Sequence, residues 1–262
     1  MSDPKPHTGR VRGLVALTLA LLASLAGNAY LLKSEEHERQ ATSAVRLDPA
    51  GAEVYASDRA AQAPPPARPV RPVLVFFGDS RALMWSPPPL PEYQVVDRGI
   101  GNQTTAQILL RVDTDVTPLH PAVVVLEAGV NDLKTLPEFP SRRAAIVAGC
   151  EANLRAIVLR LRAAGATVVL ATVFSIGHVP LWRRPFWSDD VAASVVEVNG
   201  FLRGLAGDRV ALLDANAALD AGGHEVKPAY QRDYLHLVPA GYAALNDALV
   251  PLVRGLHAPG SQ

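Results

Sequence analysis

The chain has 262 residues, of which 49% are hydrophobic and 19% charged, enough for one sizeable core. Lys and Arg together number 25, as do Asp and Glu, so the formal net charge is zero; no basic stripe, zinc-knuckle spacing or RNA-binding aromatic motif points to a nucleic-acid partner. The single cysteine, Cys150, excludes an intrachain disulfide, and its place on an apolar helix face makes it a buried structural thiol.

Residues 13–32 carry no charge and consist mostly of Leu, Ala and Val, long enough to cross a bilayer as one helix. Lys5, Arg10 and Arg12 precede the run, and Glu35, Glu36 and Glu38 follow close after Lys33. The positive-inside rule then puts residues 1–12 in the cytoplasm and the remainder outside it, as a membrane-anchored periplasmic or extracellular domain. A cleaved secretory signal is the rival reading, since Ser24-Leu25-Ala26 and Gly27-Asn28-Ala29 offer small residues for a cut; the domain is then secreted. The apolar run continuing through Tyr30-Leu31-Leu32 favours the retained anchor. Residues 33–70 read as a Pro- and Ala-rich linker ending in Ala63-Pro64-Pro65-Pro66-Ala67-Arg68-Pro69, a semi-rigid spacer.

The folded domain is expected over residues 71–257, with 258–262 as a tail. Short apolar runs predict strands at 72–77, 93–97, 122–127, 167–174 and 210–215. Helical periodicity predicts helices at 104–112, 141–164, 189–205 and 239–256. In the second of these Ser141 is placed to N-cap, Ile146, Cys150, Ile157 and Leu161 share one face, and Gly165 ends the helix. Val191, Val195, Val198, Leu202 and Leu205 form the stripe of the third, and Pro239 opens the fourth. Strands alternating with helices give an α/β fold with a mainly parallel five-stranded sheet covered on both faces.

Ligands of such sheets bind at the carboxyl ends of the strands. Ser80 follows the first strand in Phe77-Gly78-Asp79-Ser80, Asn102 the second, Asn131 the third, and Asp233-Tyr234-Leu235-His236 the fifth, so all converge on one rim. Serine needs a base to attack, and histidine needs a partner to fix its tautomer, which this set provides in Ser80, His236 and Asp233. Each has a plainer reading: Ser80 as a helix cap, Asn131 as a turn or cap, His236 as a surface residue. Asp132 reads as a cap. The remaining histidines show no metal-ligand spacing, so no metal and no cofactor is expected.

These blocks, in this order, resemble the SGNH, or GDSL-type, hydrolase family: Gly78-Asp79-Ser80; Arg98-Gly99-Ile100-Gly101-Asn102-Gln103-Thr104-Thr105; Gly129-Val130-Asn131-Asp132; and Asp233-Tyr234-Leu235-His236 followed by Gly241-Tyr242. The resemblance spans roughly residues 72 to 256. It implies a flavodoxin-like three-layer sandwich and a serine esterase with Ser80 as nucleophile, His236 as base and Asp233 as its partner. It also implies oxyanion donors from the Ser80 backbone, a backbone N–H of Gly101 or Asn102, and the Asn131 amide. Asn102 stands where the family usually has glycine. The absence of Gly-x-Ser-x-Gly, with Ala82 in the last place, argues against an α/β-hydrolase elbow.

The expected activity is hydrolysis of a small acyl ester, a lipid or an acylated sugar through an acyl-enzyme. The alternatives are acyl transfer to a cell-envelope sugar on the same residues, and a non-catalytic binding domain. Trp85, Trp182, Phe186 and Trp187 are candidate walls of the substrate pocket, the last three in a loop after the fourth strand that packing alone would equally explain.

Overall fold

The computed structural model describes residues 8–50, 70–220, 222 and 225–256, and divides into two compact units, 1–49 and 50–262. The first unit is one helix, α1 (Thr8–Leu47). It is long and apolar enough to cross a membrane. At 1.5 Å per residue it reaches roughly 60 Å, twice the hydrocarbon thickness of a bilayer. The linker expected from residue 33 therefore begins later. Residues 33–47 continue the helix, where Arg39 bonds Glu35 at 2.6 Å and Gln40 bonds Glu36 at 2.9 Å, both across one turn. The Pro-rich stretch and the tail at 258–262 lie outside the described residues.

The second unit contains five strands, β1 (Val73–Gly78), β2 (Gln94–Gly99), β3 (Val123–Glu127), β4 (Thr167–Ala171) and β5 (Val210–Leu213). All pair in parallel in the order β2-β1-β3-β4-β5. That is the flavodoxin-like order, whose switch point lies between β1 and β3. β1 and β3 are buried throughout because helices cover both faces, which accounts for their near-continuous Val, Leu and Phe.

One face packs on α3 (Thr105–Arg111), α5 (Arg143–Ala163) and α6 (Asp190–Arg203), through Ile108, Leu154, Ile157, Val195 and Leu202. The other packs on α7 (Ala215–Leu219) and α8 (Pro239–Gly255), through Leu219, Leu245 and Leu249. Two four-residue helices, α2 (Ser80–Leu83) and α4 (Val130–Leu133), follow β1 and β3 directly. They are too short to show any periodicity in the sequence.

Three expectations shift in detail. Pro140–Arg142 form a 3-10 turn and α5 begins at Arg143, so Ser141 does not cap it. The inward face of α5 is set by Val147 and Leu154 beside Cys150, with Ile146 only half-buried. β4 stops at Ala171, three residues earlier than the apolar run suggests, because residues 172–174 turn into the loop above the sheet.

Candidate active site

The strand register puts the three loop blocks side by side. Gly78 pairs with Gly99 of β2 and with Glu127 of β3, so the carboxyl ends of β1, β2 and β3 finish level. Ile100 N–H donates to the Gly78 carbonyl at 3.1 Å, and Asn131 Nδ2 donates to the Gln103 carbonyl at 3.0 Å. Asp132 belongs to the same stitching. Rather than capping its own helix, its carboxylate accepts from Thr105 N at 2.8 Å and Thr105 Oγ1 at 2.7 Å, capping the start of α3. The buried Arg111 completes the clamp, donating to Gln103 Oε1 at 2.7 Å and to Asp115 Oδ2 at 3.0 Å.

Ser80 is the first residue of α2, capped by Asp79, whose Oδ1 accepts from Arg81 N at 2.8 Å. The capping role open to Ser80 in the sequence is therefore held by its neighbour. Ser80 Oγ lies 3.1 Å from His236 Nε2. On the far side of the ring, His236 Nδ1 lies 2.9 Å from Asp233 Oδ2 and 3.1 Å from Oδ1. An ionised carboxylate only accepts, so Nδ1 carries the ring proton and Nε2 is free to accept from the serine hydroxyl. Asp233 Oδ1 also accepts from the backbone N–H of Leu235 at 2.7 Å and of His236 at 2.8 Å. Partial burial pushes the Asp233 carboxyl upward, but the His236 bond and these two N–H bonds outweigh it and hold it below the ordinary carboxylate value.

The residues expected to hold an oxyanion lie on the loops that follow β1, β2 and β3. Asn131 is buried, and its bond to Gln103 uses one amide hydrogen, leaving the second. As the first residue of α2, Ser80 has an N–H with no intrahelical partner. Gly101 and Asn102 lie in the exposed turn after β2. Asn102 has φ 64°, a left-handed conformation that asparagine tolerates, and its Oδ1 accepts from Lys134 Nζ at 2.5 Å.

The aromatic residues divide. Trp85 is 2% exposed, tilted against Phe76 at 5.5 Å and Tyr242 at 6.1 Å, and donates from Nε1 to Asn246. It is a core residue and not a pocket wall, because α2 turns its side chain beneath α8. Trp187 meets Tyr234 edge-on at 5.3 Å, and the Arg183 guanidinium lies 5.2 Å over the same ring, seating the 180–187 loop on the Asp233–His236 segment. Trp182 and Phe186 of that loop are 70% and 75% exposed. A cleft of about 560 Å³ beside it is lined by His178, Arg184, Trp187, Asp189 and Glu225, among others.

With four blocks gathered at one end of a 2-1-3-4-5 sheet, the family follows. The sequence model described as the GDSL-like lipase/acylhydrolase family matches residues 67–244. The chain belongs to that family. As a GDSL family member it is a lipase-like hydrolase. Solved structures share its fold. A GDSL-like lipase from Bacteroides thetaiotaomicron is 22% identical with a TM-score of 0.61, over 79% of this chain and 98% of that one. The acetyl xylan esterase AlAXEase is 23% identical with a TM-score of 0.54, over 69% and 99%. A variant of the acetyl xylan esterase Axe2 from Geobacillus stearothermophilus is 20% identical with a TM-score of 0.52, over 70% and 94%. No curated protein matches the chain by sequence.

Two charged residues at the site escaped the sequence reading. Arg81 and Glu127 are fully buried directly behind Ser80, 3.7 Å apart, with Asp79 beside them. Their signal was present: Glu127 ends a strand that is otherwise Val-Val-Val-Leu, and a carboxylate there must find a partner. Within this buried cluster the Glu127 carboxyl faces both the Arg81 guanidinium and the Asp79 carboxyl. Burial, reinforced by the nearby Asp79, raises the Glu127 carboxyl well above its ordinary value. A raised folded-state value means that the folded protein holds this proton more tightly than the unfolded chain. The associated stability is complete below the ordinary carboxylate value and is lost as pH rises toward the folded-state value. Glu127→Gln, which needs no proton, is therefore expected to gain melting temperature relative to wild type as pH rises above about 5. Parallel melting curves across pH check this; a difference independent of pH would contradict it.

Proposed function

We propose that the chain is a serine esterase acting through an acyl-enzyme. The observation that carries this reading is the continuous Ser80–His236–Asp233 chain of hydrogen bonds at the carboxyl end of the sheet. Ser80 Oγ attacks the ester carbonyl while His236 Nε2 takes its proton. The Oγ–carbon bond forms, the carbonyl oxygen becomes an oxyanion, and Asp233 steadies the resulting imidazolium. Collapse breaks the bond to the alcohol, which leaves with the proton from His236. Water then attacks the acyl-serine, deprotonated by the same nitrogen, and releases the acid. The oxyanion is held by the Ser80 N–H, a backbone N–H of Gly101 or Asn102, and the Asn131 amide. Loss of one such donor costs roughly 10²–10³ in kcat. Asn131→Ala is accordingly expected to lower kcat by that factor with little change in KM, measured on a soluble ester; an unchanged kcat would remove Asn131 from the oxyanion site.

The same reading places the domain outside the cytoplasm, tethered by α1, with residues 50–70 as spacer and the hydrolase domain over residues 71–257. It also gives Trp182, Phe186 and Trp187 the task of contacting the acyl or alcohol part of the substrate. Acetylated sugars belong in the first substrate panel beside lipid esters, because solved proteins of this fold are named as acetyl xylan esterases and as lipases. The deciding experiment labels the full chain with a fluorophosphonate probe and follows ester turnover, with Ser80→Ala as the control. Labelling and turnover that both vanish in the variant support the reading; a wild type that takes no label and cleaves no ester rejects it. Adding an acceptor sugar separates hydrolysis from transfer, since only a transferase forms a new sugar ester.

A further inference from the structure

We propose that Arg81 is a positioning residue that sets the direction of the His236 ring, an inference that rests on reading Ser80 and His236 as nucleophile and base. Arg81 follows Ser80 in the chain and is fully buried. Its Nε donates to the Leu235 carbonyl at 2.9 Å, and an NH1 hydrogen donates to the Phe174 carbonyl at 2.9 Å. The Leu235 carbonyl and the His236 N–H belong to one planar peptide unit. Arg81 holds its carbonyl side, and Asp233 holds its N–H side at 2.8 Å. The unit from which the imidazole springs is thus gripped at both edges, and one grip comes from the residue next to the nucleophile. Ser80 and His236 meet across 156 positions of chain, and Arg81 supplies the short tie between their two segments.

The guanidinium is itself fixed. It lies 3.8 Å over the Phe174 ring and faces Glu127 at 3.7 Å. Burial acts against its charge, and Glu127 and Asp79 act for it. A buried arginine facing an acidic side chain gives little stability over an apolar pair of the same volume. Packing alone would therefore be served by methionine or leucine, whereas bonding two carbonyls while stacking on a ring needs the planar multi-donor group that lysine lacks.

The test uses the full chain and two variants. Arg81→Met/Glu127→Gln removes both members of the pair, so no charge is left opposite a lost partner; Arg81→Lys keeps the charge without the two-carbonyl grip and serves if the double variant does not fold. Melting curves establish folding, and kcat, KM and the rate of fluorophosphonate labelling are then measured. A misdirected base costs about 10²-fold. The expected result is a folded double variant in which kcat and labelling fall together by that order, with KM held and Arg81→Lys falling in between. A folded variant that labels at the wild-type rate overturns the proposal, because a residue with a purely structural role would change melting and not labelling. Failure of the esterase reading itself looks different: the wild type would then take no label.

Discussion

Ser80→Ala is expected to lower kcat for ester hydrolysis by roughly 10⁶-fold, the scale seen when the nucleophile of such a unit is removed. Fluorophosphonate labelling disappears with it. The melting temperature stays close to that of wild type, because Asp79 and not Ser80 caps α2, so removing the hydroxyl costs no helix cap. Residual turnover would remain above the uncatalysed rate, because the proposed oxyanion donors and substrate site survive the substitution. Steady-state kinetics with a soluble ester, together with a melting curve, check both parts. A variant that kept a tenth of the wild-type rate would show that the nucleophile lies elsewhere.

Gly78→Ala is expected to damage the fold itself. Gly78 ends β1 with φ 157°, and a Cβ there would lie 1.7 Å from the Glu127 carbonyl oxygen and 3.1 Å from the Ala82 Cβ. The obstacle is the backbone of the neighbouring central strand, which cannot swing aside as a side chain can. Relief requires β1 and β3 to separate where the site is built. The cost falls among the exceptional single substitutions, about 4 kcal/mol or more, which lowers Tm by roughly 10 °C in a domain of this size. Thermal denaturation of the purified variant checks this, and a shift of only a degree or two would contradict the steric argument.

Most of the architecture was legible in the sequence because parallel strands buried on both faces write themselves as unbroken apolar runs, as in Val123 to Leu126. The long helices were legible through their stripes: Val191, Val195, Val198 and Leu202 are all buried. The boundaries were harder. Residues 172–174 are apolar enough for a strand, yet Thr172 N–H bonds across to Leu213 while Val173 N–H turns to the Asn199 side chain. Tertiary partners, not composition, end β4.

At the site, Ser80, Asn131, Asp233 and His236 stood out because their chemistry is unusual for the ends of strands. Arg81 was passed over, since a charge after a strand normally reads as solvated. Only the three-dimensional path to Leu235 shows where its guanidinium goes. Trp85 failed in the opposite sense: an aromatic near the nucleophile suggested a wall, while a four-residue helix sends it into the core.

The distance along the chain between Ser80 and His236 has a consequence for when the protein becomes reactive. The two are 156 positions apart, with β2 to β5 between them and only α8 among the named elements after His236. The serine emerges in synthesis 156 positions before the histidine. Closing a loop of that length costs roughly 4–5 kcal/mol of chain entropy, which the packed sheet and helices must already have offset. A chain not yet extended to His236 therefore carries a serine without its proposed base, no more reactive than any other hydroxyl. On the proposed reading, hydrolytic competence arrives only once the His236 segment is in place, so a nascent chain that stops short of it cannot attack the esters around it.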